Sequence, residues 1–159
     1  MIVTVNTDAS CVEGYGGYAF WIVCDAGKIQ KAGKLKAKSK NTTLFEMMCI
    51  ANALYTLLHS KFTPITKIIV NTDSQSSIDF LTFSKTNATE VCRSLAEECY
   101  FTMLELCLKS GISIRDVKKF IEFRHVKAHT KAKDKRSYVN EWCDKEAKKY
   151  AKMLFKDSN

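Results

Sequence analysis

The sequence predicts a mixed α/β fold: a five-stranded mixed sheet with helices on both faces, in the order β-β-β-α-β-α-α-β-α. Three observations carry this expectation. The chain opens on three strand-like segments joined by short turns, the pattern of consecutive antiparallel strands. From residue 42 onward, helical periodicity alternates with short apolar runs, as when strands are connected through helices packed on a sheet. Hydrophobic residues make up 46% of 159 residues, an ordinary fraction for a packed fold, so residues 1–159 are expected to form a single domain.

Residues 2–8 (IVTVNTD) read as the first strand. Residues 16–25 and 28–37 read as two more, and the short gap Asp25-Ala26-Gly27 suits a hairpin. The run from Thr42 to Ser60 is rich in Leu, Met and Ala, holds no Gly or Pro, and is too long for a strand, so it reads as a largely buried helix. Residues 66–73 (TKIIVNTD) read as a fourth strand, and Ser74 to Phe83 as a short helix capped by Asp73 or Ser74. Across residues 88–109, Val91, Leu95, Cys99, Met103, Leu106 and Cys107 recur at helical spacing, and Gly111 follows as a stop signal. Residues 119–126 (KFIEFRHV) alternate and read as the fifth strand. Residues 138–155 form a last helix, with Trp142, Cys143, Ala147, Tyr150 and Leu154 inward and lysines outward.

The formal charge of +8 favours an acidic polymer as partner, through phosphate neutralisation and counterion release. The seven cysteines are odd in number, form no CxxC pair, and several sit in apolar runs, which fits buried thiols better than disulfides or a zinc site. No charged-then-hydrophobic leader opens the chain and no apolar run approaches the ~20 residues of a membrane span, so a cytoplasmic protein with no membrane partner is expected.

Four carboxylates stand where they need explaining. Val5-Asn6-Thr7-Asp8 and Val70-Asn71-Thr72-Asp73 are the same tetrapeptide, and each delivers an aspartate at a strand's carboxyl end. Either one alone is equally an ordinary turn-starting aspartate. In open sheets, however, ligands gather beyond strand carboxyl ends, near a switch in strand order. Glu46 lies in the most apolar part of its helix, where an ionised carboxylate is costly unless something positive compensates it. Lys40, the helix dipole, or a metal ion are the three options. Asp144 follows Trp142-Cys143 and precedes a run of lysines; it is either an i,i+4 partner for Lys148 or a fourth member of the cluster. Clustered carboxylates raise one another's pKa and need cations to stay ionised. Hard oxygen ligands select Mg²⁺ or Mn²⁺ over zinc, and two such ions ~4 Å apart activate water and stabilise the leaving oxygen in phosphodiester hydrolysis.

These residues resemble the type 1 ribonuclease H family. Thr7-Asp8-Ala9-Ser10-Cys11 is similar to that family's T-D-G-S-C, with Ala9 in place of glycine, and Gly16-Gly17-Tyr18-Ala19 to its G-G-Y-G. Phe45-Glu46-Met47 resembles M-E-L on the first long helix, and Thr72-Asp73-Ser74-Gln75 matches T-D-S-Q. Val126-Lys127-Ala128-His129 resembles V-K-G-H, and Asn140-Glu141-Trp142-Cys143-Asp144 resembles N-E-x-C-D. The likeness runs from residue 2 to about residue 150 with the motif order kept. It implies an RNase H-like fold and an endonuclease, a monomer, that cuts the RNA strand of RNA–DNA hybrids and leaves 5′-phosphate and 3′-hydroxyl ends. Asp8, Glu46, Asp73 and Asp144 would hold two Mg²⁺ ions, with Asp8 bridging them and Mn²⁺ a possible substitute. His129 would assist proton movement or product release, although among Lys127, Lys131 and Lys133 it also reads as a solvated loop histidine.

By family position Cys11, Asn41, Thr43 and Gln75 would contact the minor groove or the phosphates, where a 2′-hydroxyl tells RNA from DNA. Such contacts carry little sequence information, so weak sequence preference is expected. Two departures stand out. Thr42 and Thr43 replace the family's common Asn-Asn, and Phe83-Ser84-Lys85-Thr86-Asn87 lacks the basic, tryptophan-bearing handle of many relatives. The stretch Thr130 to Val139 carries Lys131, Lys133, Lys135 and Arg136 and is expected to replace part of that handle, with Lys131 and Lys133 as substrate-binding residues. Other readings are a different nuclease or strand-transfer enzyme on the same architecture, and a non-catalytic hybrid-binding module, which would have lost at least one of the four carboxylates.

Overall fold

The computed structural model of the chain describes residues 1–85, 89–126 and 135–159, with side chains from residue 138 onward in the last of these stretches. Five strands form one sheet: β1 (Ile2–Val12), β2 (Tyr15–Cys24), β3 (Gly27–Lys38), β4 (Lys67–Thr72) and β5 (Ile121–His125), in spatial order β3-β2-β1-β4-β5. The first three strands pair antiparallel through two-residue hairpins, and β1–β4 and β4–β5 pair parallel. At the first hairpin Glu13 and Gly14 take φ values of 51° and 85°, the left-handed pair that matches the twist of a two-residue loop. The helices are α1 (Thr42–Leu58), α2 (Gln75–Leu81), α3 (Glu90–Lys109), the single turn α4 (Val117–Phe120) and α5 (Lys135–Asp157).

Alternation along the strands divides the molecule into layers. Val3, Val5, Phe20 and Ile22 join Met47, Ile50, Leu54 and Leu57 of α1 and the inner residues of α3 in the main core. Ala19 on the other face packs against Cys143 and Ala147 of α5. Small residues let that helix come close. A methyl group on Gly17 would overlap the carbonyl oxygen of Ala147 and stand 2.6 Å from the nitrogen of Ala151, and one on Gly16 would stand 2.7 Å from the Phe45 ring. The Gly16-Gly17 pair thus seats α5 against one side of β2 and Phe45 against the other.

The five strands and the four expected helices follow in the expected order; the structure adds the single turn α4, carries β1 on to Val12 so that Asp8 lies within the strand rather than at its end, and corrects two further boundaries. Lys119 and Phe120, expected in the fifth strand, belong to α4; Phe120 is buried in the main core, which accounts for its apolar character without a strand. The helix expected to reach Phe83 stops at Leu81, where the Thr82 hydroxyl donates back to the Ile78 carbonyl at 2.7 Å and Phe83 turns left-handed at φ 57°. Among the described residues no helix is long and apolar enough to cross a membrane.

Candidate active site

The repeated tetrapeptide has a structural meaning. β1 and β4 are parallel neighbours in the register Val5↔Val70 and Asn6↔Asn71, so the two V-N-T-D runs start side by side, Val against Val and Asn against Asn. The Asn71 amide donates to Asn6 Oδ1 at 3.0 Å, the Asn6 amide donates to the Trp21 carbonyl at 3.3 Å, and the Thr7 hydroxyl reaches the Asn71 carbonyl at 3.4 Å. These buried bonds lock the register. Two residues beyond the asparagine pair, Asp73 follows directly on the end of β4, and Asp8 lies within β1 opposite Ala19 of β2.

Glu46 completes a triad. Carboxylate oxygens of Asp8, Glu46 and Asp73 all lie within 4.8 Å of one another. Glu46 is the fifth residue of α1, past the first turn, so the helix dipole does little for it. Its Oε1 accepts a 3.3 Å bond from the Ala9 amide, which also donates to Asp8 Oδ1 at 2.9 Å. Its Oε2 is buried with no hydrogen-bond partner among the described residues. Burial first, then the charges of Asp8 and Asp73, push the Glu46 carboxyl well above its usual range. Asp8 is raised to about 8 by burial and by the charges of Asp73 and Asp144. A carboxylate held this way stays ionised at neutral pH only with compensating positive charge.

Asp144 stands beside the triad on α5. It acts on Asp8 through its charge and a side-chain hydrogen bond. It also makes the i,i+4 ion pair with Lys148, at 2.9 Å. The ion-pair reading of Asp144 is thus realised, and Lys148 holds this carboxylate where its charge acts on Asp8, outside the triad of converging oxygens.

The donor set is one of hard oxygens. The nearby thiols are turned elsewhere: Cys49 donates to the carbonyls of Asp8 and Ala19, both at 3.3 Å, and Cys143 to the Asn6 carbonyl at 3.8 Å. Burial pushes both thiols up, so they stay protonated. Three converging carboxylates with an unpartnered buried oxygen fit a hard divalent cation, and the thiols offer no ligand for a soft one.

The other expected residues are placed as follows. Asn41 caps α1, accepting from the Leu44 amide at 3.4 Å, and its amide donates to Cys92 Sγ at 3.8 Å. The Thr43 carbonyl accepts from the Ser77 hydroxyl at 3.4 Å, and Ser74 caps α2, so the N-termini of α1 and α2 meet beside Glu46 and Asp73. Gln75 is exposed, bonded to Asp79 at 3.0 Å, and the Cys11 thiol donates to the Ser39 carbonyl at 3.6 Å. His129, Lys131 and Lys133 lie outside the described residues, as do the side chains of Lys135 and Arg136. The sequence reading missed three contributors: the Ala9 amide shared by two carboxylates, the thiols of Cys49 and Cys143 braced on β1, and His125, whose Nε2 lies 3.1 Å from the Asp73 carbonyl oxygen. His125 was legible as a polar residue near the end of a strand neighbouring Asp73; the other two depend on packing.

Comparisons with known proteins agree with this geometry. The RNase H family model matches residues 1–152. No curated protein sequence matches the chain. Among solved structures, RNase H1 from the halophilic archaeon Halobacterium salinarum is similar at a TM-score of 0.68 and 15% identity, over 94% of this chain and 97% of that one. The N-terminal RNase H domain of Rv2228c from Mycobacterium tuberculosis, solved as a maltose-binding-protein fusion, gives 0.70 and 12%, over 99% of each chain. LC11-RNase H1, in complex with an RNA/DNA hybrid, gives 0.65 and 11%, over 96% of this chain and 99% of that one. The strand order, the converging carboxylates and the family match over nearly the whole length lead to one conclusion: this chain belongs to the RNase H family.

Proposed function

We propose that this protein is a metal-dependent endoribonuclease that hydrolyses the RNA strand of RNA–DNA hybrids, leaving 5′-phosphate and 3′-hydroxyl ends. The observation that carries the reading is the buried Oε2 of Glu46, without a hydrogen-bond partner among the described residues, in a group of carboxylates with Asp8 and Asp73, all on a chain of charge +8. Four carboxylates that repel one another are kept together by the fold, at a cost that makes sense if a cation joins them.

Asp8, Glu46, Asp73 and Asp144 would hold two Mg²⁺ ions, with Mn²⁺ a substitute. When bound, such ions supply an activated water and charge stabilisation for the leaving oxygen. The protein's own part is positional. The Ala9 amide orients one oxygen each of Asp8 and Glu46, leaving their second oxygens for other ligands. Lys148 steadies Asp144. Cys49 and Cys143 brace the β1 backbone at Asp8 and Asn6. His129 would move protons or help release product. Cys11, Asn41, Thr43 and Gln75 would line the substrate groove, where the N-termini of α1 and α2 also favour phosphate, and Lys131 and Lys133 would extend it. Because LC11-RNase H1 is similar in fold and was solved with an RNA/DNA hybrid, a hybrid is the proposed substrate here too.

The test is cleavage of a labelled hybrid, single-stranded RNA and duplex DNA, with EDTA and after adding back Mg²⁺ or Mn²⁺. Metal-dependent cutting of the RNA strand in the hybrid alone is expected. Preferential cutting of duplex DNA would assign the site to another nuclease or strand-transfer reaction. Hybrid binding without cutting in either metal would make it a binding module.

A further inference from the structure

The long helix α3 carries exposed apolar residues on its outer side as well as the apolar face that folding needs. Cys92, Ala96, Cys99, Met103, Leu106 and Cys107 are buried in the core. On the opposite side, Val91, Phe101 and Leu108 are 61%, 64% and 70% exposed. Single exposed apolar residues are ordinary. These three fall on one stripe, Val91–Ser94–Glu98–Phe101–Glu105–Leu108, whose steps alternate between three and four residues. That is the spacing a second helix packs against.

The charges beside the stripe select the partner. Glu90, Glu97, Glu98 and Glu105 are all exposed, on a chain whose overall charge is +8. Of the two basic residues of α3, Lys109 is turned back onto the carbonyls of Leu58 and Ser60, at 2.6 and 2.9 Å. Only Arg93, one turn from the helix start, remains. An acidic rim repels a phosphate backbone, so this face is unsuited to nucleic acid. It suits a cationic, apolar surface.

The stripe also points away from the candidate active site. The start of α3 lies by the start of α1, through the Asn41–Cys92 contact, and its end lies by the end of α1, through Lys109. Phe101 and Leu108, two turns apart, lie in the half of α3 that runs toward that far end.

We propose that the outer face of α3 is a protein-docking surface for a basic amphipathic helix of a partner, with Phe101 and Leu108 as apolar anchors and Glu98 and Glu105 pairing with the partner's lysines or arginines. Docking there leaves the carboxylate groove free for substrate. The proposal does not depend on the hydrolytic reading.

Two probe peptides of three heptads each, one of Leu and Lys and one of Leu and Glu, would be titrated by fluorescence anisotropy against the intact chain, Phe101→Ser/Leu108→Ser and Glu98→Lys/Glu105→Lys. The Leu/Lys peptide is expected to bind and the Leu/Glu peptide not to. Each double substitution should weaken binding by about tenfold or more, the loss typical of interface anchors. Circular dichroism and hybrid cleavage of the Ser/Ser variant should match the parent. Binding that is absent, or unchanged in both variants, overturns the proposal. So does a concentration-dependent dimer of the intact chain that the Ser/Ser variant abolishes, because the occupant would then be a second copy.

Discussion

Replacing Asp8 by asparagine removes the carboxyl that the other three press upon, and the consequence for stability follows from its proton affinity. In the metal-free fold Asp8 is raised from 3.8 to about 8, by burial first and then by Asp73 and Asp144. The folded protein therefore holds a proton in this window that the unfolded chain has released. Stability from this carboxyl is complete below about pH 4 and is lost as pH rises toward 8. At pH 7 the loss has a ceiling of ~4 kcal/mol, at ~1.4 kcal/mol per unit of pH. Water reaches the partly open carboxyl and screens the repulsion, so about 2 kcal/mol is the lower expectation. An amide cannot ionise and can donate to the remaining carboxylates. Asp8→Asn should then melt ~5–15 °C above the parent in EDTA at pH 7, at ~2–4 °C per kcal/mol for a chain of this size. The gap should shrink to a degree or two at pH 4, and saturating Mg²⁺ should close most of it by stabilising the parent. Calorimetry at the two pH values, with and without metal, makes the comparison. A gap independent of pH, or a parent more stable than Asp8→Asn at pH 7, would refute the account of the carboxylates as mutually strained.

Further outcomes are specific enough to measure. Glu46→Gln should lower kcat by ~100-fold or more while leaving the circular dichroism spectrum intact, since it removes a buried ligand and no packing volume. Gly17→Ala should cost about 1–3 kcal/mol by overpacking, seen as a lower melting temperature. It should also cut activity by displacing α5 at Ala147, three residues from Asp144; normal activity would mean that the helix can shift without moving its carboxylate. His129→Ala should slow turnover yet leave residual cleavage in single-turnover assays, and complete inactivity would contradict the role proposed for it. Neutralising Lys131, Lys133, Lys135 and Arg136 together should raise KM and flatten its dependence on salt, by about one unit of log–log slope for each phosphate that is no longer neutralised; an unchanged KM across salt concentrations would dispose of that loop as a handle substitute.

Much of the fold was legible because its signals are local. The strand-like apolar segment at residues 16–25, the unbroken apolar run after Thr42 and the 3.6-residue recurrence before Lys109 each report one element's own character. The reading failed where a residue answered to the core rather than to its neighbours. Phe120 looked like a strand position because it is apolar, yet it is buried from a helical turn. Phe83 looked like helix because nothing in its composition forbids one, yet the backbone turns left-handed there. The site divides similarly. Glu46 was conspicuous as a carboxylate in an apolar run, whereas Asp144 stayed evenly divided between a surface ion pair and a ligand; the structure shows the ion pair with Lys148 and the action of its charge on Asp8.

What the sequence determined by itself is the inventory: five strands, the long helices, four carboxylates in the repeated tetrapeptide and in apolar surroundings, and a net positive charge. The tertiary structure alone decided that the two V-N-T-D strands lie in register, that Gly17 lets α5 close to backbone contact, and that Glu46 Oε2 ends up buried beside two aspartates. The reason is range. Periodicity and capping act over a few residues. Electrostatic strain and close packing exist only between groups far apart in the chain, as Ala9 and Glu46 are at 37 positions, which meet when the sheet is assembled.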